Sequence, residues 1–424
     1  MNKRVVITGL GVAAPNGVGI TDFTHSIKNG ISGIRHDAQL QELQFSCQIA
    51  GKPEISEELK SQYFTELELR GFNSTGILYG VIAGIEAWKN AGLPIEINDE
   101  PDWNSGTIFG SGTSGIDKFR ESIYKIDELQ VRRLGSTVVA QTMNSGISAY
   151  LGGKLGLGNQ VTTNSSACAT GTEAILMAYD RIQSGQAKRI LAGSTGDSGP
   201  YIWGGFDALR VCSSKYNDNP EQGSRPMSTS AAGFVPGSGA GALVIEDLGS
   251  ALERGATIYA EILGGNVNSG GQRGNGSMTA PNSTAVQRCI SDTIRNSNIS
   301  ASDIDAINGH LTATTKDSLE IENWTKALNR KGNDFPYINS LKSMTGHCLS
   351  AAGSIESIAA ILQLHEGFVF GNINCEDLHP EITALIDPSK IPLKTITINP
   401  TIIAKASFGF GDVNACIIFK KFQK

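Results

Sequence analysis

Short apolar runs recur along the chain, each bounded by glycine or polar turn residues. VVITG comes first, then SGTIFGSG at 105–112, RILAGS at 189–194, GALVIEDL at 241–248 and TIYAEILGG at 257–265. DAINGH, YINSLKS, IIAKASFGFG and NACIIFKK complete the series. Their shortness and β-branched content predict buried strands. Segments with helical spacing of apolar residues lie between many of them, as in YGVIAGIEAWKNAGL at 79–93. Strands alternating with helices predict an α/β fold with substantially parallel sheets.

The pattern repeats itself once. ACATGTEAILMAYDRIQSG carries Gly171 and Gly185, and LSAAGSIESIAAILQLHEG carries Gly353 and Gly367, each pair fourteen residues apart. Both segments open with small residues and continue with apolar positions at helical spacing. GSGAGALVIEDL and GFGDVNACIIFKK are each a glycine turn followed by a strand. Two echoes in the same order suggest a duplicated unit joined near 250–256, with halves 1–252 and 253–424. No Pro- or Ser-rich linker separates them, so the halves are expected to pack as one body.

Composition narrows the class. Of 424 residues, 40% are hydrophobic and 18% charged, the balance of a well-packed globular protein. A net charge of −6 without a long basic run gives no nucleic-acid footprint. Arg132 and Arg133 could belong to a local basic patch for an acidic partner; a solvated arginine pair is the simpler reading. The seven cysteines are odd in number and form no C-x-x-C, which argues against a disulfide framework or zinc site and for a reducing cytoplasm. The opening MNKRVVITGLGVAAPNG is short, β-branched and broken by Gly9, Gly11 and Pro15, so it reads as a strand and turn rather than a signal peptide. No apolar run approaches the length of a membrane span. Gly9-Leu10-Gly11-Val12-Ala13-Ala14 loosely matches a dinucleotide fingerprint, but Pro15 interrupts the helix that would carry the pyrophosphate.

Chemistry concentrates at three places. In SSACATGTEA at 165–174, Cys168 sits between a strand and a helix expected to begin near Ala169 or Thr170. Unpaired N–H groups and the helix dipole there favour a thiolate, hence a nucleophile. For any single cysteine the alternative is a buried, inert small hydrophobe. Among six histidines, His310 ends a strand and His347 precedes the second small-residue helix. A Cys–His–His set would let the sulfur accept an acyl group from a thioester while two imidazole N–H groups stabilise a developing enolate oxygen. His25, His36, His365 and His379 are read as structural. In SFGFGDVN at 407–414, the N–H of Phe410 could join that of Cys168 in an oxyanion hole.

Together these segments resemble the elongating β-ketoacyl-acyl-carrier-protein synthases, types I and II, of the thiolase superfamily, over almost the whole chain. SSACATG is similar to the family's nucleophile motif, and SLKSMTGHCLSAAGSIES to its lysine–histidine motif. SSKYNDNPEQGSRP is nearer the type I branch, and GFVPGSGAGALVIED is similar to the strand and turn closing the first half. The resemblance implies a five-layered αβαβα thiolase-like fold of two duplicated halves. It implies that residues 20–150 are largely insertions capping the site and contacting a partner subunit. It assigns acyl transfer to Cys168, enolate stabilisation to His310 and His347, and a supporting charged network to Lys342 and Glu356. It implies acyl carrier protein as partner, a homodimer or a heterodimer, and no metal, nucleotide or redox cofactor.

Two stretches depart from the family pattern. His-Gly-Thr-Ser-Thr-Pro becomes His310-Leu311-Thr312-Ala313-Thr314-Thr315, with Thr312 and Thr314 retained as contacts for the phosphopantetheine arm. Gly-Phe-Gly-Gly-Thr-Asn becomes Gly409-Phe410-Gly411-Asp412-Val413-Asn414. Leu311, Gly409, Gly411 and Asp412 are therefore expected at the substrate, with Leu311 and Asp412 altering the pocket together to admit an unusual acyl chain. The main expectation is decarboxylative condensation of acyl- and malonyl-carrier in fatty-acid synthesis. The alternatives are a ketosynthase of a dissociated polyketide or aryl-polyene pathway, a chain-length partner, which Cys168 argues against, and a degradative thiolase using Cys416 as a second cysteine.

Overall fold

The opening run, Val5–Ala14 (β1), is buried along its whole length, as a strand covered on both faces requires. Gly9 and Gly11 let helix α1 (Thr75–Asn90) lie directly on it: a Cβ at either would meet the carbonyl oxygens of Ala87 and Ala83 at 2.2 and 2.0 Å. The glycines that mimic a dinucleotide fingerprint thus serve helix–strand packing. The computed structural model describes residues 3–95 and 99–423; the extreme ends of the expected halves, residues 1 and 424, lie outside them.

The main sheet continues in chain order with β2 (Ser105–Ser111), β3 (Val161–Thr162), β4 (Arg189–Gly196), β5 (Gly239–Asp247), β6 (Ala260–Ser269), β7 (Ala306–Asn308), β8 (Tyr337–Asn339), β9 (Ile402–Gly409) and β10 (Val413–Lys420). Their order across the main sheet is β8-β7-β9-β10-β6-β1-β5-β4-β2-β3, with the two-residue strand Gly17–Val18 beside β1. Counted by rank in the chain, each set of five runs third, second, fourth, fifth, first from the outer edge to the seam. At the seam, β1 and β6 pair over only Val5–Ile7 and Ala260–Ile262.

The remaining helices used below are α2 (Ile116–Asp127), α3 (Thr170–Gln183), α4 (Ser283–Asn296), α5 (Asp317–Leu328) and α6 (Ala352–Glu366). Helices α3 and α6 each touch strands of both five-strand arrays and form the middle layer; α1 covers the outer face of one array, and α4, with α5 beside it, that of the other. The result is the five-layered αβαβα arrangement. The internal echo has a physical cause at its centre. A Cβ on Gly171 would lie 2.4 Å from the Ser354 nitrogen, and one on Gly353 2.5 Å from the Thr172 nitrogen, so the two central helices cross backbone to backbone. Gly185 and Gly367 both take positive φ where these helices end.

Two expectations need correction. The sheet is mixed, not substantially parallel: β2 and β7 pair in parallel with their neighbours, while β4–β5, β5–β1, β9–β10, β10–β6 and β1–β6 are antiparallel. Apolar runs report burial, not direction, and the three-residue turn between β9 and β10 admits only a hairpin. The reading of residues 20–150 as insertions does not extend to α1 and β2, which supply a helix layer and a sheet strand.

Candidate active site

Three chain segments converge where α3 and α6 begin. Cys168 lies in a single 3-10 turn, Ala167–Ala169, immediately before α3, and Ala167 holds a left-handed φ of 48°. The equivalent turn before α6 is Leu349–Ala351, with Leu349 at φ 50°, and His347 stands two residues ahead of it. A left-handed residue thus stands within two positions of each reactive side chain. His310 follows β7, so the nucleophile comes from one half and both histidines from the other.

His347 Nε2 lies 3.1 Å from Cys168 Sγ. His347 Nδ1 accepts from the Leu349 N–H at 3.3 Å, so the ring proton sits on Nε2 and points at the sulfur. The His310 and His347 rings are 5.3 Å apart and nearly perpendicular, at 82°. Burial holds both imidazoles well below their ordinary pKa, with the ammonium groups of Lys342 and Lys405 adding to the effect. They are therefore neutral hydrogen-bond donors at physiological pH.

The sulfur behaves differently from the sequence expectation. Burial pushes the Cys168 thiol up to about 11, against the opposing pull of Lys342 and of the backbone N–H groups of Phe410 and of Cys168 itself. The resting group is a thiol whose ionised form is met by two N–H donors and the His347 N–H. Those backbone donors are the pair expected to form an oxyanion hole, and both face the sulfur.

Behind the trio is a buried ionic floor. Lys342 pairs with Glu356 Oε1 and donates to the His310 carbonyl at 2.6 Å. The segment after His310 is pinned by two carboxylates of α5. Glu320 accepts from the N–H groups of His310 and Leu311, both at 2.7 Å. Asp317 accepts from those of Thr312, Ala313 and Met227 at 2.9–3.1 Å. Burial raises the Glu320 carboxyl to about 7. Glu320 and the buried Lys405 were missed from sequence. The first needed the i, i+3 spacing after Asp317; Lys405 gave only the signal of a charge inside an apolar strand.

The cavity over this floor measures about 270 Å³. Cys168, His310, His347, Thr312, Thr314, Gly409 and Phe410 line it, with Phe206, Phe234 and Phe408 supplying apolar wall. Lys342 and Glu356 sit behind it. Leu311, Gly411 and Asp412, expected at the substrate, do not line it. Leu311 is buried in the apolar core around α5 with Ile307, Ile321 and Ile338, because the flanking backbone is fixed by Glu320 and leaves its side chain pointing inward. Gly411 turns outward, its N–H donating to the Met278 carbonyl at 2.8 Å. The buried Asp412 carboxylate accepts from the N–H groups of Gln272 at 3.0 Å and Asn282 at 2.8 Å. It thereby ties down the loop 270–282, which brings Thr279 and Pro281 to the cavity. Leu311 and Asp412 thus face different neighbours and do not reshape the pocket together.

Among the described residues, Cys168, His310 and His347 form the one cluster whose donor atoms, all within 4.8 Å of one another, could grip a metal ion. Cys416 is buried in β10 beside Cys289, away from the cavity, and burial pushes its thiol up to about 12. Of the other histidines, His379 caps a short helix by accepting from the Glu381 N–H, and His365 packs at a tilt against Tyr259.

The chain matches two family models: Beta-ketoacyl synthase, N-terminal domain, over residues 2–251, and Beta-ketoacyl synthase, C-terminal domain, over residues 259–376. It is 32% identical to the 3-oxoacyl-[acyl-carrier-protein] synthase 2 of Vibrio harveyi, covering 100% of this chain and 99% of that protein. It is likewise 32% identical to the 3-oxoacyl-[acyl-carrier-protein] synthase 1 of Escherichia coli K12, covering 99% of this chain and 100% of the relative. Among solved structures, a beta-ketoacyl synthase from Burkholderia phymatum superposes with a TM-score of 0.89 at 27% identity, over 99% of this chain and 100% of the other. A type II polyketide ketosynthase, solved with its acyl-carrier protein and bound to a hexaketide, superposes with a TM-score of 0.85 at 27% identity over the whole of both chains.

Proposed function

This chain belongs to the β-ketoacyl synthase family, and on that premise we propose that it is a 3-oxoacyl-[acyl-carrier-protein] synthase of fatty-acid biosynthesis. The observation that carries the reading is the sulfur of Cys168 held 3.1 Å from the His347 Nε2–H, beside His310 and under the N–H groups of Phe410 and Cys168.

The roles follow from that geometry. Cys168 Sγ attacks the carbonyl of an acyl thioester on acyl carrier protein, and the N–H groups of Cys168 and Phe410 receive the oxyanion. The tetrahedral adduct collapses, the carrier sulfur leaves with the thiol proton, and an acyl–Cys168 thioester remains. Malonyl-carrier then enters along Thr312 and Thr314. His310 and His347 donate to its thioester oxygen, so the carbon–carboxylate bond breaks, carbon dioxide leaves and the electron pair rests as an enolate. The enolate carbon attacks the acyl–Cys168 carbonyl and expels the thiolate, giving a 3-oxoacyl-carrier. Neutral imidazoles suit this work because they donate without drawing the enolate into a fixed ion pair. Lys342, Glu356 and the α5 carboxylates hold the donors in place, and no step calls on a cofactor of this chain.

The acyl-carrier partner is supported by the polyketide neighbour, solved in complex with one. We also assign the halves as 1–252 and 253–424, placing the boundary at the end of the short helix Leu248–Glu253 that precedes the seam strand β6. A homodimer is supported by the apolar stripe Phe119, Ile123, Tyr124 and Ile126 on α2, continued by Leu129 and Val131, all exposed. No helix among the described residues is long and apolar enough to cross a membrane, which accords with the cytoplasmic placement we propose.

A second reading, a ketosynthase of a dissociated polyketide or polyene pathway, keeps the chemistry and changes the chain it elongates. The Asp412 anchor at the cavity mouth, a departure from the family pattern, favours it. The test of condensation is stoichiometry: with acyl- and malonyl-carrier the enzyme should release one carbon dioxide per 3-oxoacyl-carrier formed. Decarboxylation without carbon–carbon bond formation, at any acyl chain, would contradict the synthase reading.

A further inference from the structure

Lys405 has no place in the steps above. It lies on β9, a strand buried from Ile402 to Phe408, and is itself wholly inaccessible to solvent. Its Nζ sits 3.0 Å from Glu356 Oε2, and among the described residues it is the only charged partner of that oxygen. The same ammonium donates to the Ala406 carbonyl at 2.7 Å and to Ser407 Oγ. Ser407 Oγ lies 3.0 Å from Thr172 Oγ1, in the first turn of the nucleophile helix α3. One carboxylate is thus shared between two buried ammonium groups, Lys342 on Oε1 and Lys405 on Oε2.

A buried lysine whose carboxylate is already committed to another lysine is costly and adds little to stability. Burial presses its pKa down, and Glu356 raises it back. Such a group persists where its charge or its grip is used. We propose that Lys405 is a positioning residue of the condensation: by its ion pair with Glu356 Oε2 and, through Ser407, its hold on the first turn of α3, it locks the Lys342–Glu356–His310 floor against the nucleophile helix and sets a second positive charge behind both imidazoles. This rests on the synthase reading for its catalytic meaning, but the electrostatic half stands without it.

The charged and titratable groups facing this network come from every element around it: Cys168 before α3, Lys342 and Cys348 before α6, Glu356 on α6, Asp317 and Glu320 on α5, and Cys416 on β10. Lys342 already opposes imidazole protonation, so loss of Lys405 should move the histidines without freeing them fully.

The experiment is Lys405→Met in the full chain, which keeps much of the side chain's length and removes the charge. The kcat for 3-oxoacyl formation should fall about ten- to a hundred-fold with little change in KM, the range seen when outer partners of reactive groups are removed. In protein carrying 13C-labelled histidine, six imidazoles in all, two should titrate at a higher pH than in the unsubstituted protein. Combined with Glu356→Gln, the substitution should cost less than the two single losses multiplied together. Unchanged kcat, a wild-type imidazole titration, or additive losses would each overturn the proposal. If the Met variant does not fold, Lys405→Gln, which can still reach Ser407, carries the same tests; failure of both to fold would make Lys405 a core support and count against a positioning role. If the unsubstituted enzyme forms no 3-oxoacyl product, the synthase reading falls while the imidazole titration still decides the electrostatic claim.

Discussion

The floor of the cavity and its mouth are built on opposite plans. The floor holds side chains: Cys168, His310, His347, Lys342 and Glu356 are all buried, and ion pairs and hydrogen bonds among them fix the reactive atoms. The mouth holds backbone: the turn Phe410–Asp412 and the loop 270–282 are joined through one buried carboxylate, the Gly411 N–H and the Gly270 N–H, the last donating to the Asp412 carbonyl. The floor therefore answers to charge and tautomer, the mouth to main-chain geometry. Changes below should stop or slow the chemistry, and changes above should alter which chains reach it.

The largest effects belong to the floor. Cys168→Ala should abolish acyl transfer and condensation, a loss of about 10⁴-fold or more in a product-formation assay, because no other thiol lines the cavity. His347→Ala or His310→Ala should lower malonyl-carrier decarboxylation about 10²- to 10³-fold, as expected for loss of one donor to a developing oxyanion. The pH profile of that decarboxylation sharpens the point. Both imidazoles titrate well below 6.5, so the rate should show no step near 6.5 as pH falls from 8 to 6, and the acid limb should come lower. A step at 6.5 would mean that the floor is wetter than it is drawn here.

The mouth should respond differently. Asp412→Ala removes the acceptor shared by two part-buried N–H groups, at about 0.5–1.5 kcal/mol each, so thermal stability should fall and the preference among acyl chain lengths should broaden. The pH dependence of Cys168 alkylation should stay that of the unsubstituted enzyme; a shift would break the division between the two regions. Leu311→Ala should cost about 2–5 kcal/mol of stability, as for a fully buried leucine, with chain preference unchanged. The smallest effect is none: EDTA should leave turnover as it was, because the Cys–His–His donors are used as nucleophile and N–H donors.

The same contrast decides what could be read from the sequence. Cys168, His347, Lys342 and Glu356 lie in two short segments whose small residues and helix starts announce them, and the packing of Gly171 on Gly353 explains why those segments echo each other. The strand directions were not legible, because apolar runs carry burial without polarity. Asp412 looked like a pocket residue because it stands where the family pattern has a glycine after Gly-Phe-Gly. Its carboxylate turns the other way, to N–H groups 130 and 140 residues distant in sequence, and nothing local signals such a capture. Leu311 looked like an altered lining because it adjoins His310, but Glu320 fixes the backbone between them and sends the side chain into the core. Lys405 was read as part of an apolar strand, since its partner Glu356 sits on another layer.

The central claim is that Cys168 carries the acyl group and surrenders it to a malonyl-derived carbon. Intact-protein and peptide mass spectrometry, after incubation with a panel of acyl-carrier proteins and then with malonyl-carrier, tests it most directly. The account predicts an acyl adduct on the Cys168 peptide that disappears on adding malonyl-carrier as a 3-oxoacyl-carrier two carbons longer accumulates. A folded enzyme that takes no acyl group from any carrier, or holds one on another residue, would contradict it.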